Sequence, residues 1–168
     1  MGKEEMRVDK KILVVEDDVI TSEEITSRLQ NLKYGLAETA FSGEEAIDKA
    51  AKTHPDLILM DIRLGTGMDG ITAAEHIRTR LNIPVVYLTA YTDEETLQRA
   101  KITEPFGYII KPLDERALRA AIEMALCKHK VEEELAQQKA LLMEVFENVQ
   151  EGIALVDECQ NILFCNPA

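Results

Sequence analysis

The chain has 168 residues, a formal net charge of −12 and three cysteines. That acidity speaks against direct binding of nucleic acid, which requires a basic face to neutralise phosphates. No apolar run approaches membrane-spanning length and Met1-Gly2-Lys3-Glu4-Glu5 is too polar and acidic for a secretion signal, so a cytoplasmic protein without membrane contact is expected.

Residues 1–9 read as a flexible N-terminus. An apolar run over 11–15 predicts a strand, and the spacing of Ile25, Leu29 and Leu32 predicts a helix from Thr21 to Leu32. A second strand is expected around Leu36 to Ala40. Ser42-Gly43-Glu44-Glu45 then opens a helix that runs to about Thr53, where His54-Pro55 stops it. Strand 57–60, helix 70–80, strand 84–89, helix 93–102, strand 107–110 and a helix from 114 onward complete five βα units. Such alternation implies a parallel sheet covered on both faces, and right-handed crossovers make it doubly wound. Cys127, Cys159 and Cys165 show no C-x-x-C spacing and are expected to be reduced thiols at apolar positions.

The last helix has no Gly or Pro until Gly152, so from 114 to about 148 it would span on the order of 50 Å. Val131, Leu135, Gln138, Leu142, Val145 and Val149 recur at alternating steps of four and three, a heptad seam. The alternative is a helix folded back on its own domain with the stripe as core. Glu132 to Glu134, Gln137 and Lys139 leave a stripe too narrow for that, which favours a parallel homodimer through residues 129–148.

Charged side chains close three of the apolar strands: Glu16 and Asp17 after the first, Asp61 after Met60, and Lys111 after Ile110. Ligands of open α/β sheets bind at the carboxyl ends of the strands, so three carboxylates and one ammonium are expected on one rim. Clustered carboxylates repel unless a cation lies among them, and all-oxygen ligation suits Mg²⁺. A lysine beside such a cluster suits a phosphoryl group. Taken singly, each residue has a plainer reading: Glu16 or Asp17 as acids at a helix N-terminus, Thr89 as a strand former, Tyr108 as an edge aromatic.

These residues carry a resemblance. Ile12-Leu13-Val14-Val15-Glu16-Asp17-Asp18, Leu57-Ile58-Leu59-Met60-Asp61, Met68-Asp69-Gly70, Pro84-Val85-Val86-Tyr87-Leu88-Thr89-Ala90 and Gly107-Tyr108-Ile109-Ile110-Lys111-Pro112 together resemble the CheY-like receiver domain of two-component response regulators, over residues 10–128. The resemblance implies a flavodoxin-like sheet of order 2-1-3-4-5 with an extended C-terminal helix. It implies Asp61 as phosphoacceptor, with Glu16, Asp17, Asp61 and the backbone carbonyl of Arg63 around Mg²⁺, and Asp18 as an accessory acid. Thr89, Lys111 and Tyr108 become the phosphate-binding and switch residues. The implied partner is an upstream histidine kinase or phosphotransfer protein.

Residues 149–168 resemble the opening hairpin of a PAS domain, with Gly152-Ile153-Ala154-Leu155-Val156-Asp157 and Ile162-Leu163-Phe164-Cys165-Asn166-Pro167-Ala168 as its strands. Receiver-PAS proteins of this kind include histidine kinases and diguanylate cyclases. The output activity, and whether the whole protein is an enzyme, are therefore open. Two other readings compete: a degenerate receiver serving only for dimerisation or binding, and a HAD-type aspartyl-phosphate hydrolase. Hydrolases of that kind place a second acid two residues after the nucleophile, where this chain has Arg63. The chain departs from the receiver pattern in the loop after Asp61, where Gly65-Thr66-Gly67 stands in place of a proline and predicts a more mobile loop.

Overall fold

The computed structural model describes residues 10–65, 67–90, 105–147, 154–156 and 162–165. The chain divides into two units, Met1–His129 and Lys130–Ala168. The first contains β1 (Lys11–Val15), α1 (Val19–Asn31), β2 (Gly35–Ala40), α2 (Gly43–Thr53), β3 (Leu57–Asp61), α3 (Gly70–Leu81), β4 (Val85–Thr89), β5 (Gly107–Ile110) and the start of α4 (Glu115–Glu147). The helix expected over 93–102 lies outside the described residues.

All neighbouring strands of the sheet run parallel in the order β2-β1-β3-β4-β5. Alternation along each strand sends side chains to opposite faces. Leu13, Val15, Ile58, Met60, Val85 and Tyr87 pack with Ala46, Ala50, Ala74 and Ile77 of α2 and α3. Ile12, Val14, Leu57, Leu59, Val86 and Leu88 pack on the other face with Ile25 and Leu29 of α1 and Leu118, Ile122 and Ala125 of α4. Both faces are covered, which is why the central strands are apolar throughout rather than half polar.

Local chemistry sets the helix ends. Asp18, Ser42 and Asp69 cap α1, α2 and α3, accepting from the backbone N–H of Thr21 at 2.7 Å, Glu45 at 3.2 Å and Thr72 at 2.8 Å. The cap on Asp18 starts α1 at Val19, two residues before the hydrophobic spacing suggests. His54 caps the end of α2 in the left-handed conformation, at the stop that His54-Pro55 predicts. Cys127 is exposed, so its thiol does not occupy an apolar position as expected.

In the second unit α4 continues without a break to Glu147, and Val149 of the heptad lies outside the described residues. Val131, Leu135, Leu142 and Val145 are 58–70% exposed. The strands β6 (Ala154–Val156) and β7 (Ile162–Cys165) pair antiparallel, Leu155 opposite Phe164. Among the described residues no helix is long and apolar enough to cross a membrane.

Candidate functional site

Parallel register brings the charged strand ends to one level. Val15 lies beside Met60, Asp61 beside Leu88 and Thr89 beside Ile110, so Glu16, Asp61, Thr89 and Lys111 emerge from adjacent strands on one rim. The strand order reverses between β1 and β3, the switch point at which sheets of this class hold ligands. Sequence proximity assembles none of this, since Lys111 and Glu16 are 95 residues apart.

Lys111 Nζ lies 2.6 Å from Glu16 Oε2 and 2.6 Å from Asp61 Oδ2. Glu16 and Asp61 are only 2% and 8% exposed, whereas Asp17 is exposed. Burial drives the Glu16 carboxyl up to about 7, the nearby Asp61 carboxylate pushing the same way and Lys111 opposing. Burial alone would lower the Lys111 ammonium, but its bonds to Asp61 and Glu16 outweigh that and raise it. The lysine thus stays charged and holds the two buried carboxylates together.

The remaining contacts orient single groups. The Arg63 N–H donates to Asp61 Oδ1 at 3.0 Å, and the Gly65 N–H donates to Asp17 Oδ2 at 3.0 Å. Thr89 is 8% exposed at the end of β4, and its carbonyl accepts from the Lys111 N–H at 2.8 Å. Tyr108 packs against Tyr87 at 5.8 Å between ring centroids. Its hydroxyl is buried without a hydrogen-bond partner among the described residues, and burial raises its pKa. Asp18 caps α1 through the Thr21 N–H, and its carboxylate is not among the three whose oxygens cluster.

Carboxylate oxygens of Glu16, Asp17 and Asp61 all lie within 4.8 Å of one another. Three hard oxygen donors at that spacing, one of them solvent-facing, fit a cation that retains water, as Mg²⁺ does. An open cleft of about 470 Å³ adjoins them, lined by Asp17, Arg63, Gly65 and Asp69 among others.

Two further residues, Gly70 and Glu44, shape the site in ways that their places in a motif and at a helix start did not foretell. A Cβ on Gly70 would stand 1.8 Å from the Asp61 carbonyl oxygen, so only glycine lets α3 begin against the end of β3. The Gly70 N–H donates to the Ile62 carbonyl at 3.1 Å, closing the loop that carries Arg63 and Gly65. Glu44 Oε1 accepts the Met68 N–H at 3.0 Å, tying that loop to α2. The loop expected to be mobile is thus hydrogen-bonded on both sides of residue 66, at Gly65 and at Met68. No local signal marked Glu44, because an acid in the first turn of a helix is ordinarily explained by the dipole.

Comparison with known proteins gives a consistent picture. The family described as "Response regulator receiver domain" matches residues 12–123. The transcriptional regulatory protein PdtaR of Mycobacterium tuberculosis is 30% identical over 83% of this chain and 68% of its own length. The N-terminal domain of a response regulator/sensory box/GGDEF three-domain protein from Carboxydothermus hydrogenoformans is 39% identical, with a TM-score of 0.67 over 73% of this chain and 98% of that one. The receiver domain of a sensor histidine kinase from Pseudomonas aeruginosa is 28% identical, with a TM-score of 0.64 over 70% of this chain and 97% of that one. Its structure holds a magnesium ion in the active-site cleft.

Proposed function

Since the chain belongs to the response regulator receiver domain family, a family of two-component signalling, we propose that it is a Mg²⁺-dependent aspartyl-phosphate switch with Asp61 as phosphoacceptor. The observation that carries the reading is the Glu16-Asp17-Asp61 cluster with Lys111 Nζ at 2.6 Å from Asp61 Oδ2. Glu16, Asp17, Asp61 and the Arg63 carbonyl are the residues that would hold Mg²⁺, which when bound neutralises the oxygens of the transferring phosphoryl group.

In the transfer, a carboxylate oxygen of Asp61 attacks phosphorus in line. The bond to the donor, a phosphohistidine nitrogen of a kinase or phosphotransfer protein, breaks as the new O–P bond forms, leaving an acyl phosphate. The Arg63 N–H on Asp61 Oδ1 fixes the carboxylate, so the attack needs no reorientation. Lys111 exchanges part of its contact with Asp61 for a phosphoryl oxygen. Thr89 closes on the same group and Tyr108 follows it inward, converting the charge gained at Asp61 into movement of the β4–β5 edge.

Residues 10–128 then form the receiver, 129–148 a helical linker and 149–168 the start of a PAS-like output domain. The β6–β7 pairing supports the last assignment, and the Carboxydothermus relative belongs to a protein with a sensory box. The exposed Val131, Leu135, Leu142 and Val145 support homodimerisation through α4.

Intact mass after incubation with Mg²⁺ and acetyl phosphate tests the switch. We expect the gain of one phosphoryl group, prevented by EDTA and absent in Asp61→Asn. Label retained by Asp61→Asn would place the acceptor elsewhere, and no gain under conditions that label a control receiver would favour a degenerate binding module.

A further inference from the structure

The loop following Asp61 joins two residues that lie apart in the sequence. On one side the Gly65 N–H holds Asp17 Oδ2 at 3.0 Å, and on the other the Met68 N–H is held by Glu44 Oε1 at 3.0 Å. Between them Gly67 takes φ +98°, a left-handed conformation that side chains disfavour. A Cβ there would also approach Glu44 Oε1 to 3.0 Å, so glycine both permits the turn and admits the carboxylate. Glu44 itself is anchored at the start of α2, whose first turn is fixed by the Ser42 cap.

We infer that Glu44 is a positioning residue for the metal site: by holding the Met68 N–H it sets the loop whose Gly65 N–H orients the Asp17 carboxylate. The inference rests on the Mg²⁺ reading proposed above. The physical reason is that Asp17, alone among the three clustered acids, is exposed and, among the described residues, has no lysine to hold it. Its rotamers are restrained by a backbone N–H from the loop, and that N–H is only as well placed as the loop. A proline would restrict this loop covalently through its ring; here a side chain from the neighbouring helix supplies the restraint.

Calorimetric titration of Mg²⁺ into the full chain tests this, with phosphorylation by acetyl phosphate measured as a function of Mg²⁺ concentration. Glu44→Ala should weaken Mg²⁺ binding by about three- to tenfold, less than the roughly 10–100-fold typical for loss of a direct partner of a metal ligand. Its phosphorylation should recover at saturating Mg²⁺, because Asp61 and Lys111 are untouched. Glu44→Gln, whose amide oxygen can accept the same N–H, should regain most of the affinity. A lowered melting temperature with wild-type Mg²⁺ affinity in Glu44→Ala would reduce Glu44 to a structural role and overturn the inference alone. A wild-type chain that binds no Mg²⁺ would overturn the metal reading and this inference with it.

Discussion

Lys111 Nζ lies 2.6 Å from Asp61 Oδ2, at the ends of two strands that are not neighbours: β4 stands between β3 and β5. The lysine side chain spans that strand's end to reach the carboxylate and also contacts Glu16, just past the end of β1. An ammonium shared by two buried carboxylates substitutes for part of the cation charge that such a cluster requires.

Removing that ammonium should therefore be felt in stability as well as function. Lys111→Met is expected to destabilise the metal-free protein by about 1–3 kcal/mol, below the roughly 3–5 kcal/mol of a fully buried broken pair, because the lysine side chain is 21% exposed. Denaturant unfolding with and without Mg²⁺ measures it, and Mg²⁺ should restore part of the loss. Equal stability of variant and wild type without the metal would contradict the shared-charge arrangement.

The raised Glu16 carboxyl predicts a specific pH dependence. Its folded pKa of about 7 exceeds the ordinary 4.5, so the native state holds a proton that the unfolded chain has released. The contribution is full below about 4.5 and is lost as pH rises through about 7. Metal-free protein should lose thermal stability across that window, and Glu16→Gln should flatten the dependence. A melting temperature in wild type that rises across the same window relative to Glu16→Gln would reverse the sign and refute the assignment.

Gly70 offers a steric prediction independent of any ligand. With a Cβ 1.8 Å from the Asp61 carbonyl oxygen, Gly70→Ala forces α3 away from β3 and should cost about 3 kcal/mol or more. Equilibrium unfolding gives the value directly. A loss under about 0.5 kcal/mol, within the range of ordinary surface substitutions, would mean that the close approach is easily relaxed.

The helix α4 makes a prediction about mass. Leu135→Glu with Leu142→Glu adds charges to the exposed stripe and should convert a dimer to a monomer in light scattering, as should ending the chain after about residue 130. An unchanged mass in both would move any dimer contact to the receiver's own faces.

Much of the receiver was legible because its signals are local. Apolar runs of strand length, caps such as Ser42 and Asp69, and the stop at His54-Pro55 each act within a few residues. The convergence of Asp61 and Lys111 was legible only through the rule that strand ends share a rim. The Glu44 contact followed no such rule, since it joins the first turn of α2 to a loop 24 residues later.

Neighbouring residues were enough to read off the order of strands and helices, the carboxylates at the strand ends and the long helix with its apolar stripe, because periodicity and capping are local properties. Only packing between distant segments reveals which environment each of the consecutive acids Glu16, Asp17 and Asp18 occupies. The chain passes from strand to helix within these three residues, so each carboxylate meets a different partner: Glu16 and Asp17 bring theirs to the cluster with Asp61, Glu16 buried on Lys111 and Asp17 exposed on the Gly65 N–H, while Asp18 caps the first turn of α1. Identical chemistry at adjacent positions thus acquires different environments, and the physical reason is that burial and partner are set by packing between distant segments.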